Sequence, residues 1–186
     1  MTSYRHIDSP LGTMLLRAEG AYLTGVFFAG QKYHPTGIVD SRDVPSAEAA
    51  VLDRAATELA GYFAGRLDTF TVPVRFAGSM FQRRVWEALQ AIPCGATASY
   101  GELARMLGLP PTHARAVGSA VGRNPLSVIV PCHRVLGAAG ALTGYAGGIE
   151  RKRALLQREG IGAAPQRPAV YTARAPVAAA FALASD

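Results

Sequence analysis

Cys132 and His133 stand side by side in Pro131-Cys132-His133-Arg134-Val135, directly behind the apolar run Leu126-Ser127-Val128-Ile129-Val130. A thiol beside an imidazole suits a nucleophilic cysteine. The thiol's ordinary pKa is ~8.5, its thiolate is the reactive species, and a nearby base can generate it. The apolar run reads as a buried strand that delivers the pair. On an extended segment, however, neighbouring side chains point to opposite faces. Help from His133 therefore requires a turn or a bridging water. The alternative is a Cys-His pair that is structural and does no chemistry.

Glu159 is the candidate third member. It is the only acidic residue between Arg151 and Asp186 and lies at the C-terminal end of a basic helical stretch, residues 148–160. The helix dipole disfavours a negative charge there, whereas Glu150 in the first turn is well placed. Two readings stay open for Glu159: an ion pair with a neighbouring arginine, or a group that orients a histidine. Between the Cys-His pair and this helix lie Gly137-Ala138-Ala139-Gly140 and Thr143-Gly144-Tyr145-Ala146-Gly147-Gly148. Such glycine density suits a loop whose backbone approaches a ligand or turns tightly.

The elements that must position these residues fall into two parts. Residues 4–8, 13–18 and 22–28 read as short strands separated by turn sequences. Ser46 then opens a helix in which Val51, Leu52, Ala55, Leu59, Tyr62 and Phe63 recur at helical spacing. This first part ends near residues 71–74 and reads as a scaffold with nothing catalytic in it. The second part begins with a capping box, Ser79 and Gln82, ahead of Val85, Trp86, Leu89 and Ile92 on one helical face. Phe81 and Trp86 read as core. A second capping box, Ser99 with Glu102, starts a short helix over 100–107 that stops at Gly108. Another helix spans 112–121, broken by Gly122 and Asn124-Pro125.

Two short helices across a glycine-containing turn make a helix-turn-helix. The second, through Arg115-Ala116-Val117-Gly118-Ser119, is built mostly from small residues. It offers few long polar side chains to base edges, so minor-groove or sequence-independent DNA binding fits better than major-groove reading. Close packing of two helices is the competing explanation.

Bulk properties agree with a soluble globular chain of 186 residues, 49% hydrophobic and 17% charged. There is no run of eighteen apolar residues and no apolar stretch at the start, which predicts a cytosolic protein with no membrane contact. The net charge of +6 is unevenly spread. Residues 1–75 carry seven Lys and Arg against eight Asp and Glu, while residues 76–186 carry twelve against five. A basic second half suggests an anionic partner, nucleic acid first. Two cysteines, Cys94 and Cys132, with no CxxC pair, argue for free thiols in a reducing compartment. Cys94 reads as an ordinary buried thiol. The four histidines lack metal-ligand spacing, so neither a metal nor a cofactor is expected.

Taken together, Pro131–Val135, Phe81-Gln82 with Val85-Trp86, Ser99-Tyr100-Gly101, Arg115–Gly118 and Asn124-Pro125 resemble the O6-alkylguanine-DNA alkyltransferases. The resemblance covers roughly residues 4–162 and is highly specific in combination. It implies an α/β (α+β) fold: a small RNase H-like sheet-and-helix domain, residues 1–75, then a mainly helical domain with a winged helix-turn-helix, residues 76–162. Residues 163–186 read as an Ala/Pro-rich mobile tail. The implied reaction is stoichiometric transfer of the alkyl group from O6-alkylguanine in double-stranded DNA to Cys132, after the nucleotide is flipped out. By the same resemblance His133 acts as base through a water and Glu159 orients it. Tyr100 binds guanine N3 and assists proton delivery. Asn124 braces the helix-turn-helix against the active-site segment. Arg115 fills the gap left by the flipped base, with Tyr100, Ala116, Gly118 and Ser119 also at the DNA. Val135, Tyr145, Ala146 and Gly147 line the guanine pocket; many relatives carry serine at position 146. The protein is expected to act as a monomer and to be consumed in one turnover.

Three other readings compete. A lesion-recognition module without chemistry would not need Cys132. A Cys-His hydrolase would release product repeatedly and leaves the small-residue helix unexplained. A regulatory fusion would need further cysteines and another domain.

Overall fold

A computed structural model of the chain describes residues 2–162. The predicted tail, residues 163–186, lies outside the described residues.

Three antiparallel strands open the fold: β1 (Thr2–Ile7), β2 (Met14–Glu19) and β3 (Tyr22–Phe28), in the order β1-β2-β3. Met14, Leu16 and Ala18 on β2 and Leu23, Val26 and Phe28 on β3 are buried. Against this sheet lies α1 (Ser46–Phe63), which buries Val51, Leu52, Ala55, Leu59 and Tyr62. Those positions recur every three or four residues and form the apolar stripe that a surface helix turns inward. Glu48 and Glu58, also on that side, are satisfied by backbone N–H groups: Gly20 for Glu48, and Thr71 and Val72 for Glu58.

β3 does not remain an open edge. At its start, the Leu23 N–H donates to Pro73 and the Arg75 N–H to Leu23. At its middle, the Val26 N–H donates to Pro125 (2.8 Å) and the Ser127 N–H to Val26 (3.0 Å). The strand edge that would otherwise invite aggregation is covered by two later segments of the same chain, residues 73–75 and 125–127. The segment leading to Cys132 is thereby stitched to the N-terminal sheet.

The second half contains α2 (Met80–Gln90), a short β4 (Ala98–Ser99), α3 (Tyr100–Met106), α4 (Ala114–Val121), β5 (Val135–Leu136) and α5 (Ile149–Arg158). Both capping boxes form as the sequence predicts, Ser79 with Gln82 and Ser99 with Glu102. α4 starts two residues later than expected, because Pro111–His113 takes a 3-10 turn ahead of it. Trp86 is core, as predicted, and its indole N–H donates to the Ala120 carbonyl (2.9 Å), fastening α2 to α4. One continuous apolar cluster runs from the sheet and α1 through α2, α3 and α4 to Val128, Val130 and Cys132. Among the described residues no helix is long and apolar enough to cross a membrane.

The run 126–130 is not a strand. The Ile129 N–H donates to Ser127 (2.9 Å), two residues back, around Val128 at φ +72°. That is a γ-turn, a strained geometry that costs a β-branched residue about 1–3 kcal/mol. A second two-residue turn follows, with the Cys132 N–H donating to Val130 (2.8 Å) across Pro131 at φ −81°, ψ 61°. Cys132–Arg134 then forms a 3-10 turn that ends in β5. Apolar content alone does not separate a strand from a buried string of turns. Here the backbone is pinned from outside by β3 and Asn124, so turns prevail.

Candidate active site

The turns bury both Cys132 and His133 and give each side chain a partner of its own, Asn124 for the thiol and Glu159 for the imidazole. Cys132 is 5% exposed and His133 is fully buried. Asn124, in the loop after α4, donates from Nδ2 to Cys132 Sγ (3.1 Å) and to the Val130 carbonyl (2.9 Å). Its Oδ1 accepts the Leu126 N–H at 3.0 Å. One side chain thus ties the loop after α4 to Cys132.

His133 Nε2 lies 2.9 Å from Glu159 Oε1, at the C-terminus of α5. Glu159 contacts a histidine and an arginine at once. Arg134 also donates to both its oxygens, Nε to Oε2 and Nη2 to Oε1, each at 2.9 Å. Tyr62 donates its phenol to Oε1 at 2.7 Å, and the Gly95 N–H reaches Oε2 at 3.4 Å. With Nε2 committed to the carboxylate, the other ring nitrogen, Nδ1, is buried without a hydrogen-bond partner among the described residues.

Burial pushes the Cys132 thiol up, against the Asn124 hydrogen bond and the Lys152 charge, which favour thiolate. Burial also pushes His133 down, against the pull of Glu159. The resting pair is therefore a neutral thiol and a neutral imidazole. For Glu159 burial acts upward, but hydrogen bonds from His133 and Arg134 dominate and hold the carboxyl well below its usual range. The arrangement is a protonated thiol, an uncharged imidazole and a fixed anion behind the imidazole. Such a set stores no thiolate at rest, so any thiolate has to form as the thiol reacts.

Around this centre, Tyr100 at the start of α3 directs its hydroxyl to the Thr143 carbonyl (3.4 Å). Its ring packs over Gly118 of α4, where an added Cβ would sit 3.4 Å from the ring carbons. Tyr145, partly buried, has its pKa raised by burial and then by the Cys132 charge. Gly147 must lack a side chain, since a Cβ there would meet the Tyr145 ring at 2.6 Å and Phe28 at 3.2 Å. The Ala146 carbonyl accepts the Lys32 N–H (3.0 Å), and Val135 is buried in β5. Arg115, Ala116 and Ser119 lie on the exposed side of α4, while Val117, Ala120 and Val121 face inward. They do not join the buried cluster; Gly118 and Tyr100 lie between.

Similarity to known proteins agrees with this arrangement. A profile described as 6-O-methylguanine DNA methyltransferase, ribonuclease-like domain, matches residues 2–76. The companion profile, 6-O-methylguanine DNA methyltransferase, DNA binding domain, matches residues 80–161. The methylated-DNA–protein-cysteine methyltransferase of Mycobacterium tuberculosis (strain ATCC 25618 / H37Rv) is 49% identical over 159 residues, 86% of this chain and 93% of that protein. This chain belongs to the methylated-DNA–protein-cysteine methyltransferase family. A crystal structure of Mycobacterium tuberculosis O6-methylguanine methyltransferase superposes with a TM-score of 0.73 at 50% identity, covering 86% of this chain and 93% of that one. A crystal structure of Mycobacterium tuberculosis OGT in complex with DNA gives 0.74, again at 50% identity, over 84% and 92%.

As a methylated-DNA–protein-cysteine methyltransferase, the chain binds DNA and repairs it by alkyl transfer to a cysteine. Its fold is the mixed α/β architecture of that family.

Sequence reasoning missed several residues in and around this buried cluster. Tyr62 belongs to α1, which read as pure scaffold; its helical spacing marked it as core, and nothing signalled the hydroxyl. Arg134 was visible only as part of a motif. Lys152 reads as one more cation on a basic helix, yet it is fully buried, with Nζ donating to the Val135 (2.6 Å) and Thr143 (2.7 Å) carbonyls. Burial lowers its pKa to about 8. Cys94 is half-buried, not buried as expected; it lies 3.5 Å from both Asp68 Oδ1 and Arg158 Nη1.

Proposed function

We propose that Cys132 is the acceptor and that the lesion is O6-alkylguanine, flipped out of double-stranded DNA from the minor groove. The observation that carries this reading is the buried chain of contacts Asn124–Cys132 and His133–Glu159, with the imidazole nitrogen Nδ1 left free to accept a proton. His133 takes the thiol proton through a bridging water. The sulfur attacks the alkyl carbon, the S–C bond forms, and the C–O6 bond breaks with its electrons going to guanine. Tyr100 delivers a proton at guanine N3 as the leaving base gains charge, which lowers the barrier where charge develops. Glu159 holds the imidazolium. The pocket for the base is lined by Val135, Tyr145, Ala146 and Gly147.

DNA is met by α4. Its small exposed residues allow close approach of the backbone to the minor groove, and Arg115 occupies the space the flipped nucleotide leaves. Recognition is largely independent of sequence, because few long polar side chains are presented. Residues 1–75 act as scaffold and residues 76–162 as the DNA-binding and reaction unit. Free Cys94 and Cys132 suit the reducing cytoplasm. The thioether formed is inert, and nothing in the mechanism removes it, so each molecule acts once.

Intact-protein mass spectrometry after incubation with a duplex carrying one O6-methylguanine tests this reading. The expected outcome is a gain of one methyl per chain, mapped to Cys132. Tight binding with no mass gain would make the protein a lesion-recognition module, and repeated turnover would make it a hydrolase.

A further inference from the structure

We propose that Tyr62 is a positioning residue for alkyl transfer: its hydroxyl, donated to the Glu159 carboxylate, sets how strongly that carboxylate draws a proton onto His133. The proposal rests on reading His133 and Glu159 as the base for Cys132.

Tyr62 sits in the last turn of α1 and is fully buried. Its ring has ordinary packing partners, Phe63 at 5.5 Å and Phe70 at 5.4 Å between centroids, and the Arg158 guanidinium lies 3.9 Å above it. A phenylalanine would meet all of those needs. The hydroxyl has a separate destination, 2.7 Å away at Glu159 Oε1, the oxygen that also faces His133 Nε2. Two further donors come from Arg134 and one from the Gly95 N–H. A carboxylate offers about four lone-pair sites, so five donors compete for its charge. What the phenol takes, the imidazole does not receive.

Burial, then the neighbouring carboxylate, pushes the Tyr62 hydroxyl well above its ordinary pKa, so it remains a donor throughout the range in which the protein works. The other charged and titratable groups around the dyad are Arg134 and Cys132 on the active-site turn, Tyr145 in the loop before α5, Lys152 and Arg158 on α5, and Cys94 before β4. Asp68 is paired with Arg158. Arg134 and Lys152 both oppose protonation of His133, and only Glu159 favours it. A single hydrogen bond from the N-terminal half therefore acts on the one group that makes His133 basic.

The test is Tyr62→Phe in the full chain, read as the single-turnover rate of methyl transfer from an O6-methylguanine duplex across pH, together with DNA affinity. Without the phenol, Glu159 draws harder on His133, the imidazole is protonated at higher pH, and fewer molecules hold a free base. The acid limb of the rate profile should move up by about one pH unit, a tenfold slower reaction on that limb, with DNA affinity unchanged. Incorporating 3-fluorotyrosine at position 62 strengthens the donor and should move the limb the other way. That measurement stands even if the phenylalanine variant folds poorly. An unmoved limb in both proteins overturns the proposal. Glu159→Gln is run alongside: if it slows transfer while the two Tyr62 changes do nothing, the proposal falls and the dyad stands. If Glu159→Gln also leaves rate and profile untouched, both fall.

Discussion

On α4, Arg115, Ala116 and Ser119 stand in solvent, and their placement follows from eight consecutive helical residues. Beyond α4, Cys132 and His133 are buried: Asn124 from the loop after α4 holds Cys132, Glu159 at the end of α5 holds His133, and Tyr62 of α1 and Gly95 before β4 hold Glu159 in turn. The exposed region needs only a helix of small residues and a cation free to meet a phosphate or a base stack. The buried region needs every polar atom matched, because an unpaired charge away from water is expensive. An exposed face can thus be built locally, whereas the buried thiol and imidazole require the whole fold. This explains why the N-terminal half supplies Tyr62 and the β3 edge that pins residues 125–127.

The sharpest way to separate the two regions is Cys132→Ala. Methyl transfer should vanish entirely while lesion-duplex affinity, measured by fluorescence anisotropy, stays near that of the unchanged protein. Transfer through any other residue would break the assignment.

Arg134→Met attacks the buried region's stability. It strips two hydrogen bonds from a carboxylate that remains buried, and urea unfolding at pH 7 should show a loss of about 3–5 kcal/mol. The pH dependence has a definite sign. Glu159 has a folded pKa below its unfolded value, so its stabilisation is present above about pH 4 and is lost as pH falls further. His133 is also depressed, so the unfolded chain takes up its proton first, and stability declines as pH falls below about 6.5. The unchanged protein should lose stability on acidification through both groups; in Arg134→Met the Glu159 part of that slope should shrink.

Arg115→Ala probes the exposed region. Repair of duplex DNA should fall about tenfold, equivalent to ~1.4 kcal/mol, while reaction with free O6-benzylguanine is unchanged. Equal losses on the two substrates would contradict a role in flipping.

The smallest effect belongs to the join between the regions. Ser99→Ala removes the side-chain cap of α3, which carries Tyr100 in its first turn, and should cost about 1 kcal/mol in thermal or urea unfolding with little change in rate. A large loss of rate would mean that the cap positions Tyr100 and does more than stabilise the helix.

Local patterns in the sequence determined the three strands, α1 with its inward stripe, both capping boxes and the exposed residues of α4. Such features depend on residues a few positions apart, whose periodicity or capping chemistry acts within one element. The Cys-His pair, Glu159 and Asn124 were visible as residue types, and the family motif supplied their roles. Only the tertiary structure decided that residues 126–132 turn twice instead of extending, because that choice is imposed by β3 and Asn124 from outside the segment. It alone placed Lys152 in the interior and gave Glu159 both an arginine and a histidine. It also brought the Tyr62 hydroxyl across 97 positions of chain to the Glu159 carboxylate. A hydrogen bond between residues so far apart leaves no period, spacing or composition for a single sequence to display.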